Sequence, residues 1–188
     1  MIDEFAKTYL HGNLRWVRAD LIDKVEGLSE YDVRRPLTYT GTNLLGLVKH
    51  LTMTEARYFG ELFNRPYADP LPSYTDPHYA NRDHLWVRAA ETRAQIITNY
   101  HRACAHADAT IDALPIDAET TVPWWPRPNV MLFNVLVHVL TESNRHAGHA
   151  DILREQVHGA SDADPTVNWP AHQAQIEQAA RRAAPPGD

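Results

Sequence analysis

One segment late in the sequence holds polar residues whose types and spacing suit metal binding. His138, Glu142, His146 and His149 follow one another at intervals of four, four and three residues. At about 100° per residue, a helix brings these side chains into an arc of roughly 80°. Side chains one turn apart converge, so Glu142 and His146 are spaced to share one divalent ion through an oxygen and a nitrogen ligand.

A catalytic zinc site usually has three protein ligands, so a third must come from another part of the chain. His50 is the best candidate, because it lies in a predicted helix beside the apolar face, and facing helices of a bundle often build such sites. Each part also has a structural interpretation: a core histidine with a hydrogen-bond partner, and an ordinary Glu/His surface pair. The metal hypothesis depends on the combination of all three residues.

The other residues with reactive side chains favour structural interpretations. Cys104 lies within an alanine-rich predicted helix, without a cap or a lysine nearby, which is typical of a buried structural thiol. His101 and His106 are about 140° apart on a helix and do not point to one place. The remaining histidines occur singly and are expected at the surface: His11, His78, His84, His158 and His172.

Two further features lie close to the polar stripe or in a loop that could reach it. Trp124 and Trp125 stand in a proline-rich tract, where they either fold back on the core or form one wall of a ligand pocket. Arg145 flanks the stripe and is either an exposed helix residue or a partner for a carboxylate or hydroxyl group of a substrate.

Hydrophobic periodicity predicts four long helices and no strand of any length. Their expected ranges are 3–26, 42–63, 84–114 and 129–158, with boundaries at Gly27, Thr42, Asp83 and Asn129. Four prolines over 64–82 predict a long crossover loop, and a weaker amphipathic helix is expected over 171–184. This order of elements predicts an all-α four-helix bundle with an extra C-terminal helix packed outside it.

Length and composition agree with one globular domain. The 188 residues suit a single domain over 1–188, with the bundle at about 3–158 and an extension over 159–188. A net charge of −6 argues against nucleic acid as a partner, and the short apolar stretches argue against a membrane span or a signal peptide. A single cysteine suits a reducing cytoplasm, and apolar surface left on the first and third helices favours a homodimer.

Two segments together resemble the DinB-like superfamily, four-helix bundles with a divalent-metal site. They are NLLGLVKHL at 43–51, followed by Glu55 and Tyr58, and the stretch from His138 through RHAGHADILRE at 145–155. The likeness covers about residues 5–158 and is strongest to the actinobacterial thiol S-transferase branch. It implies one metal ligand from the second helix, here His50, and two ligands one turn apart on the last bundle helix, here Glu142 and His146. Many members have histidine at the position of Glu142. It also implies frequent homodimers.

The resemblance implies a zinc-dependent transfer of a low-molecular-weight thiol, in actinobacteria mycothiol, to an electrophile in detoxification or a stress response. Arg145, His149 and Trp125 are the expected substrate contacts. Within the same superfamily, a mycothiol-dependent isomerase of a small dicarboxylate uses the same metal and thiol. A metal-binding stress protein without turnover and a non-haem iron oxygenase are alternatives from other classes.

Overall fold

Five α-helices account for most of the described chain, and four of them form a bundle. The computed structural model describes residues 4–69, 81–159 and 163–183. The helices are α1 (Glu4–Asp23), α2 (Leu44–Glu55), α3 (Arg93–Ala113), α4 (Leu132–His158) and α5 (Trp169–Ala183). α1 packs against α4, while α2 packs against both α3 and α4. The prediction of an all-α fold built around a four-helix bundle is confirmed.

The helix that carries His50 begins one residue later than predicted and then changes its pitch. Its cap is Asn43, whose Oδ1 accepts a hydrogen bond from the Gly46 N–H at 2.8 Å, and not Thr42. After α2 the chain continues as a π-helix over Ala56–Gly60 and a 3₁₀ turn over Glu61–Phe63. The helical segment that begins with α2 therefore ends at the predicted residue, Phe63, but only Leu44–Glu55 is α-helical.

The third helix is shorter than its hydrophobic pattern predicted. It begins at Arg93 and not near residue 84, because Thr92 and Gln95 form a capping box at its start. Asp83 does not cap it; Asp83–Leu85 instead form a separate 3₁₀ turn. The middle of the predicted crossover loop, residues 70–80, lies outside the described residues.

A short β-hairpin joins α3 to α4, so the prediction that the chain has no strand was wrong. The strands β1 (Glu119–Thr121) and β2 (Asn129–Met131) pair antiparallel. Three-residue strands are too short to give a periodic pattern, which explains the error. Asn129 belongs to β2 and does not cap α4; the cap position is Met131, whose N–H donates to Asn134 Oδ1 at 3.0 Å.

The core of the bundle consists of two groups of buried apolar side chains. One includes Leu21, Leu45 and Leu51, and the other includes Phe59 and Leu136. Since α2 and α4 each supply residues to these groups, the two helices that carry the predicted metal ligands are held by the same core. Burial of this kind contributes about 1.5–3 kcal/mol for each large apolar side chain.

The C-terminal helix forms within two residues of its predicted start, but it does not pack as expected. Every residue of α5 is exposed, so the helix buries no side chain against the bundle. Its apolar residues, Trp169 and Ile176, remain accessible to solvent. None of the helices in the described ranges is both long and apolar enough to span a bilayer.

Candidate metal centre

α4 carries its polar stripe at the edge of the side that faces the core. Its buried positions recur at three- and four-residue intervals and include Val135, Val139 and Ala147. Glu142 and His146 lie beside this row, with 25% and 15% of their side chains exposed. The helical spacing thus holds both groups partly out of water, which strengthens their electrostatic interactions.

His50 approaches this pair from α2. Its Nε2 lies 3.5 Å from Glu142 Oε1, and His146 Nε2 lies 3.0 Å from the same oxygen. The two imidazole rings meet edge to face, with centroids 4.9 Å apart. One donor atom from each residue lies within 4.8 Å of the other two. The structure therefore brings together the three residues that spacing and resemblance singled out.

The donor set fits a small divalent ion. Tetrahedral zinc bonds of about 2.0–2.1 Å separate neighbouring ligand atoms by about 3.3–3.4 Å. The two separations between Glu142 and the histidine nitrogens, 3.0 and 3.5 Å, lie on either side of this value, and all three donor atoms lie within 4.8 Å of one another. Two imidazole nitrogens and one carboxylate oxygen suit zinc, nickel or iron better than magnesium or calcium, which prefer oxygen ligands.

Glu142 is ionised at neutral pH. Hydrogen bonds with His146 and His50 hold the pKa of its carboxyl well below the usual range for glutamate, and they outweigh burial, which acts in the opposite direction. The carboxylate is therefore available as an anionic ligand without any proton having to be removed first.

His84 lies beside His50, although it was expected at the surface. It belongs to the 3₁₀ turn Asp83–Leu85, and the two ring centroids are 5.8 Å apart. The turn can approach α2 closely because residue 46 is glycine: a Cβ atom on Gly46 would collide with the carbonyl oxygen of Leu85. Burial, with a smaller effect from His50, lowers the pKa of His84. His84 is therefore a neutral ring at pH 7.

A cavity of about 270 Å³ is lined by two of the three candidate ligands, His50 and Glu142. It lies between α2, the π-helical segment, α4 and the hairpin loop. The lining residues are His50, Met53, Thr54, Arg57, Tyr58, Trp124, His138 and Glu142. The sequence analysis did not single out Met53, Thr54 or Arg57, although the three- and four-residue steps from His50 place Met53 and Thr54 on its face of α2. The volume suits a molecule smaller than a typical drug-sized ligand.

The two tryptophans of the hairpin loop have different contacts. Trp124 lines the cavity, and its Nε1 donates a hydrogen bond to the Tyr58 hydroxyl at 3.2 Å. Trp125 does not line the cavity; its ring lies 4.8 Å from that of His138 and also contacts Tyr58. Trp124 therefore forms part of a pocket wall, whereas Trp125 packs on the core, so each of the two interpretations holds for one residue.

The other two predicted substrate contacts lie on the solvent side of the donors. His149 is exposed, and its Nδ1 is 3.4 Å from Nδ1 of His146. Arg145 is also exposed, one residue before His146 on α4. Neither residue lines the cavity. A molecule that touched them would reach the donors from outside, and not through the cavity.

Cys104 is not a competing nucleophile. Burial raises the pKa of its thiol, and the neighbouring Glu55 carboxylate acts in the same direction. The thiol is therefore protonated at neutral pH, and only the thiolate is a good nucleophile. This agrees with the structural role expected for it.

A buried ion-pair network ties α1, α2 and α3 together. Arg18 donates to both carboxylate oxygens of Glu55, at 2.7 and 2.6 Å, and to Asp108 at 2.6 Å. Only 5% of Arg18 and none of Glu55 is exposed. Burial alone would raise the pKa of Asp108, but hydrogen bonds from His11, Arg18 and Arg15 lower it. Because Glu55 follows His50 on α2, the network also fixes the helix that carries this candidate ligand.

Of the histidines expected singly at the surface, His11 is the clearest exception. It is buried, and its Nε2 lies 2.7 Å from Asp108. The spacing His11, Leu14, Arg18 and Leu21 matches one buried face of α1, a signal the sequence contained. His158 and His172 are exposed as predicted, and His78 lies outside the described residues.

Comparison with known proteins identifies a family. The family model described as MST, Mycothiol-S-transferase, matches residues 9–159, which include α1 to α4 and all three donors. A search of curated proteins finds none that matches. The matched region stops before α5, so the part of the chain that the family model covers is the bundle, including the three candidate ligands.

Proposed function

Since the chain belongs to the mycothiol S-transferase family, we propose that it is a divalent-metal-dependent enzyme that conjugates mycothiol to a small electrophile. The observation that carries the proposal is the convergence of His50, Glu142 and His146 within 4.8 Å, beside a cavity that His50 and Glu142 line. A role in detoxification or a stress response follows from the chemistry, because removing an electrophile protects other nucleophiles in the cell.

The proposed ligands are His50, Glu142 and His146, and zinc is the metal that we expect. When bound, such an ion supplies the charge that deprotonates a coordinated thiol at neutral pH. The chain's own contribution is to hold the three donors partly out of water and to keep Glu142 ionised. Three protein ligands leave at least one position of a tetrahedral ion open.

We assign the two sides of the centre to the two substrates. The exposed Arg145 and His149 would contact polar groups of the thiol, since both lie on the solvent side of the donors. The cavity would hold the electrophile, with Trp124 as one wall. Trp125, the third predicted substrate contact, would act through its packing on His138. The two reactants then meet at the donor atoms.

The test is to incubate purified protein, with zinc and after its removal, with mycothiol and a generic electrophile, and to follow the loss of free thiol. We expect turnover only with zinc, and its loss in His50→Ala. The matched control is His101→Ala, an exposed histidine on α3, which should keep the wild-type rate. Zinc binding without any loss of thiol would favour the metal-binding protein without turnover.

A further inference from the structure

The first residue of the polar stripe, His138, has no role in the metal centre as described. It lies one helical turn before Glu142 and lines the cavity. Its ring packs against two aromatic side chains, with centroids 4.7 Å from Tyr58 and 4.8 Å from Trp125. Its position is therefore fixed by packing, beside the space where we place the electrophile.

The ring nitrogens of His138 have no hydrogen-bond partner in the described part of the chain. Among the described residues, none forms a hydrogen bond with either ring nitrogen of His138, and its described contacts are with aromatic rings. By contrast, the two histidines of the donor set, His50 and His146, both contact Glu142. A half-buried imidazole that packing fixes at a cavity wall is a polar group placed for a ligand.

The ring is neutral at pH 7. Burial lowers the pKa of His138, and this effect outweighs the nearby carboxylate of Glu142, which acts in the opposite direction. A neutral imidazole has one N–H donor and one nitrogen acceptor. Such a ring can stabilise an oxygen that gains negative charge by donating a hydrogen bond, without giving up its proton.

We propose that the cavity is the electrophile site and that His138 donates a hydrogen bond to an oxygen attached to the reacting carbon. This inference rests on the proposed function and narrows its substrate class to oxygen-bearing electrophiles, such as small epoxides. An alkyl halide of the same size offers no such oxygen. His138 then determines which electrophiles the enzyme prefers.

The reaction with an epoxide balances as follows. The thiolate sulfur forms a bond to a ring carbon, the carbon–oxygen bond breaks, and its electron pair goes to the oxygen. His138 stabilises the negative oxygen by its hydrogen bond, and the oxygen then takes a proton from water. The product is a β-hydroxy thioether, and the proton taken up replaces the one that the thiol released.

The experiment compares 1,2-epoxybutane with 1-bromobutane, which have the same number of carbon atoms. The kcat/KM of the zinc-loaded protein with mycothiol is measured for each, after subtraction of the spontaneous rate. His138→Phe keeps a ring in contact with Tyr58 and Trp125 but removes the donor, whereas His138→Gln retains an N–H. His101→Phe is the matched control, because His101 is exposed on α3 away from the cavity.

We expect the ratio of epoxide to bromide kcat/KM to fall about 100-fold in His138→Phe, a loss like that of one oxyanion donor. The ratio should recover partly in His138→Gln and stay at the wild-type value in His101→Phe. Equal loss for both electrophiles, or an unchanged ratio, would overturn the proposal, since a merely structural role cannot distinguish them. If His138→Phe does not fold, His138→Gln decides: its ratio must lie closer to wild type than that of His138→Ala.

A second measurement separates this proposal from the proposed function. In the metal-free protein, 2-butanone should shift the ring ¹H–¹⁵N signals of His138, which are assigned by their loss in the His138 variant. If wild type transfers no thiol but 2-butanone shifts these signals, the oxygen-binding site stands and the transferase function fails. If 2-butanone leaves the signals unchanged, the role of His138 fails whatever the activity.

Discussion

Replacing Glu142 with glutamine keeps the side-chain volume and removes the negative charge that two histidines now contact. We expect metal affinity to fall by at least about 100-fold, because even residues that only support a ligand contribute about 10- to 100-fold. Glu142 contacts His146 at 3.0 Å and His50 at 3.5 Å. It is the only carboxylate in this group of possible ligands among the described residues, so no other carboxylate can replace it there.

The size of the effect can be worked out as a shift in melting temperature. At free zinc about 100 times the wild-type Kd, binding stabilises the fold by about 2.7 kcal/mol. The unfolding entropy of a 188-residue chain is about 0.4 kcal/mol per degree, so zinc should raise Tm by about 7 °C. With 100-fold weaker binding, the same zinc concentration contributes only about 0.4 kcal/mol, or about 1 °C.

The assay is thermal unfolding followed by circular dichroism at 222 nm, with and without zinc. The matched control is Glu177→Gln, since Glu177 pairs with Arg181 one turn away on α5 at 2.7 Å, far along the chain from the donors. Its zinc-induced shift should equal that of wild type. The same shift of about 7 °C in Glu142→Gln would refute the ligand assignment.

The same variant also separates a ligand from a general base. If Glu142 is a ligand, the rate of thiol transfer per bound metal should change far less than the affinity, because the ion and not the carboxylate generates the thiolate. If Glu142 instead accepts a proton during the reaction, affinity should survive and turnover should fall by about 10² to 10⁴.

Three further predictions concern the framework that holds the centre. Glu55→Gln leaves Arg18 buried without its bidentate partner and should lower the free energy of unfolding by about 3–5 kcal/mol, or Tm by about 8–12 °C. The control Glu177→Gln, which breaks an exposed pair on α5, should lower the free energy of unfolding by less than about 1 kcal/mol. Because the pKa of Asp108 is lowered in the folded state, its ionised carboxylate stabilises the fold fully above the usual aspartate pKa, and this stabilisation is lost at lower pH. The loss of unfolding free energy in Asp108→Asn, measured in urea, should therefore be smaller at pH 3 than at pH 7. Gly46→Ala should cost about 1–3 kcal/mol in urea unfolding, because the added methyl group collides with the carbonyl oxygen of Leu85.

The parts of the site that lie on regular helices were predictable from the sequence. Glu142 and His146 share a face because the helical period brings residues one turn apart together, and His50 was identified by its place beside an apolar face. The pairing of α2 with α4 followed from the bundle architecture. The existence and approximate positions of these helices were therefore predictable from the sequence. The N-caps of α2 and α4 lie one and two residues after the predicted ones, whereas that of α3 is Thr92 and not Asp83.

The parts that lie on irregular elements were not predictable in the same way. His84 reaches the centre from a three-residue turn, and Trp124 from a hairpin with three-residue strands, neither of which has a detectable period. Arg57 and Tyr58 belong to a π-helix, whose altered pitch is invisible in a 3.6-residue pattern. These positions depend on tertiary contacts, such as the close approach that Gly46 permits.

The most direct test of the metal centre and its function is X-ray absorption at the zinc edge, before and after mycothiol is added. The protein alone should give a first shell of nitrogen and oxygen only, since the three donors are two imidazole nitrogens and a carboxylate oxygen. With mycothiol, one sulfur should appear at about 2.3 Å from the ion. A shell that is unchanged by the thiol, or a nitrogen and oxygen shell that survives intact in His50→Ala, would contradict a thiol-binding zinc at His50, Glu142 and His146.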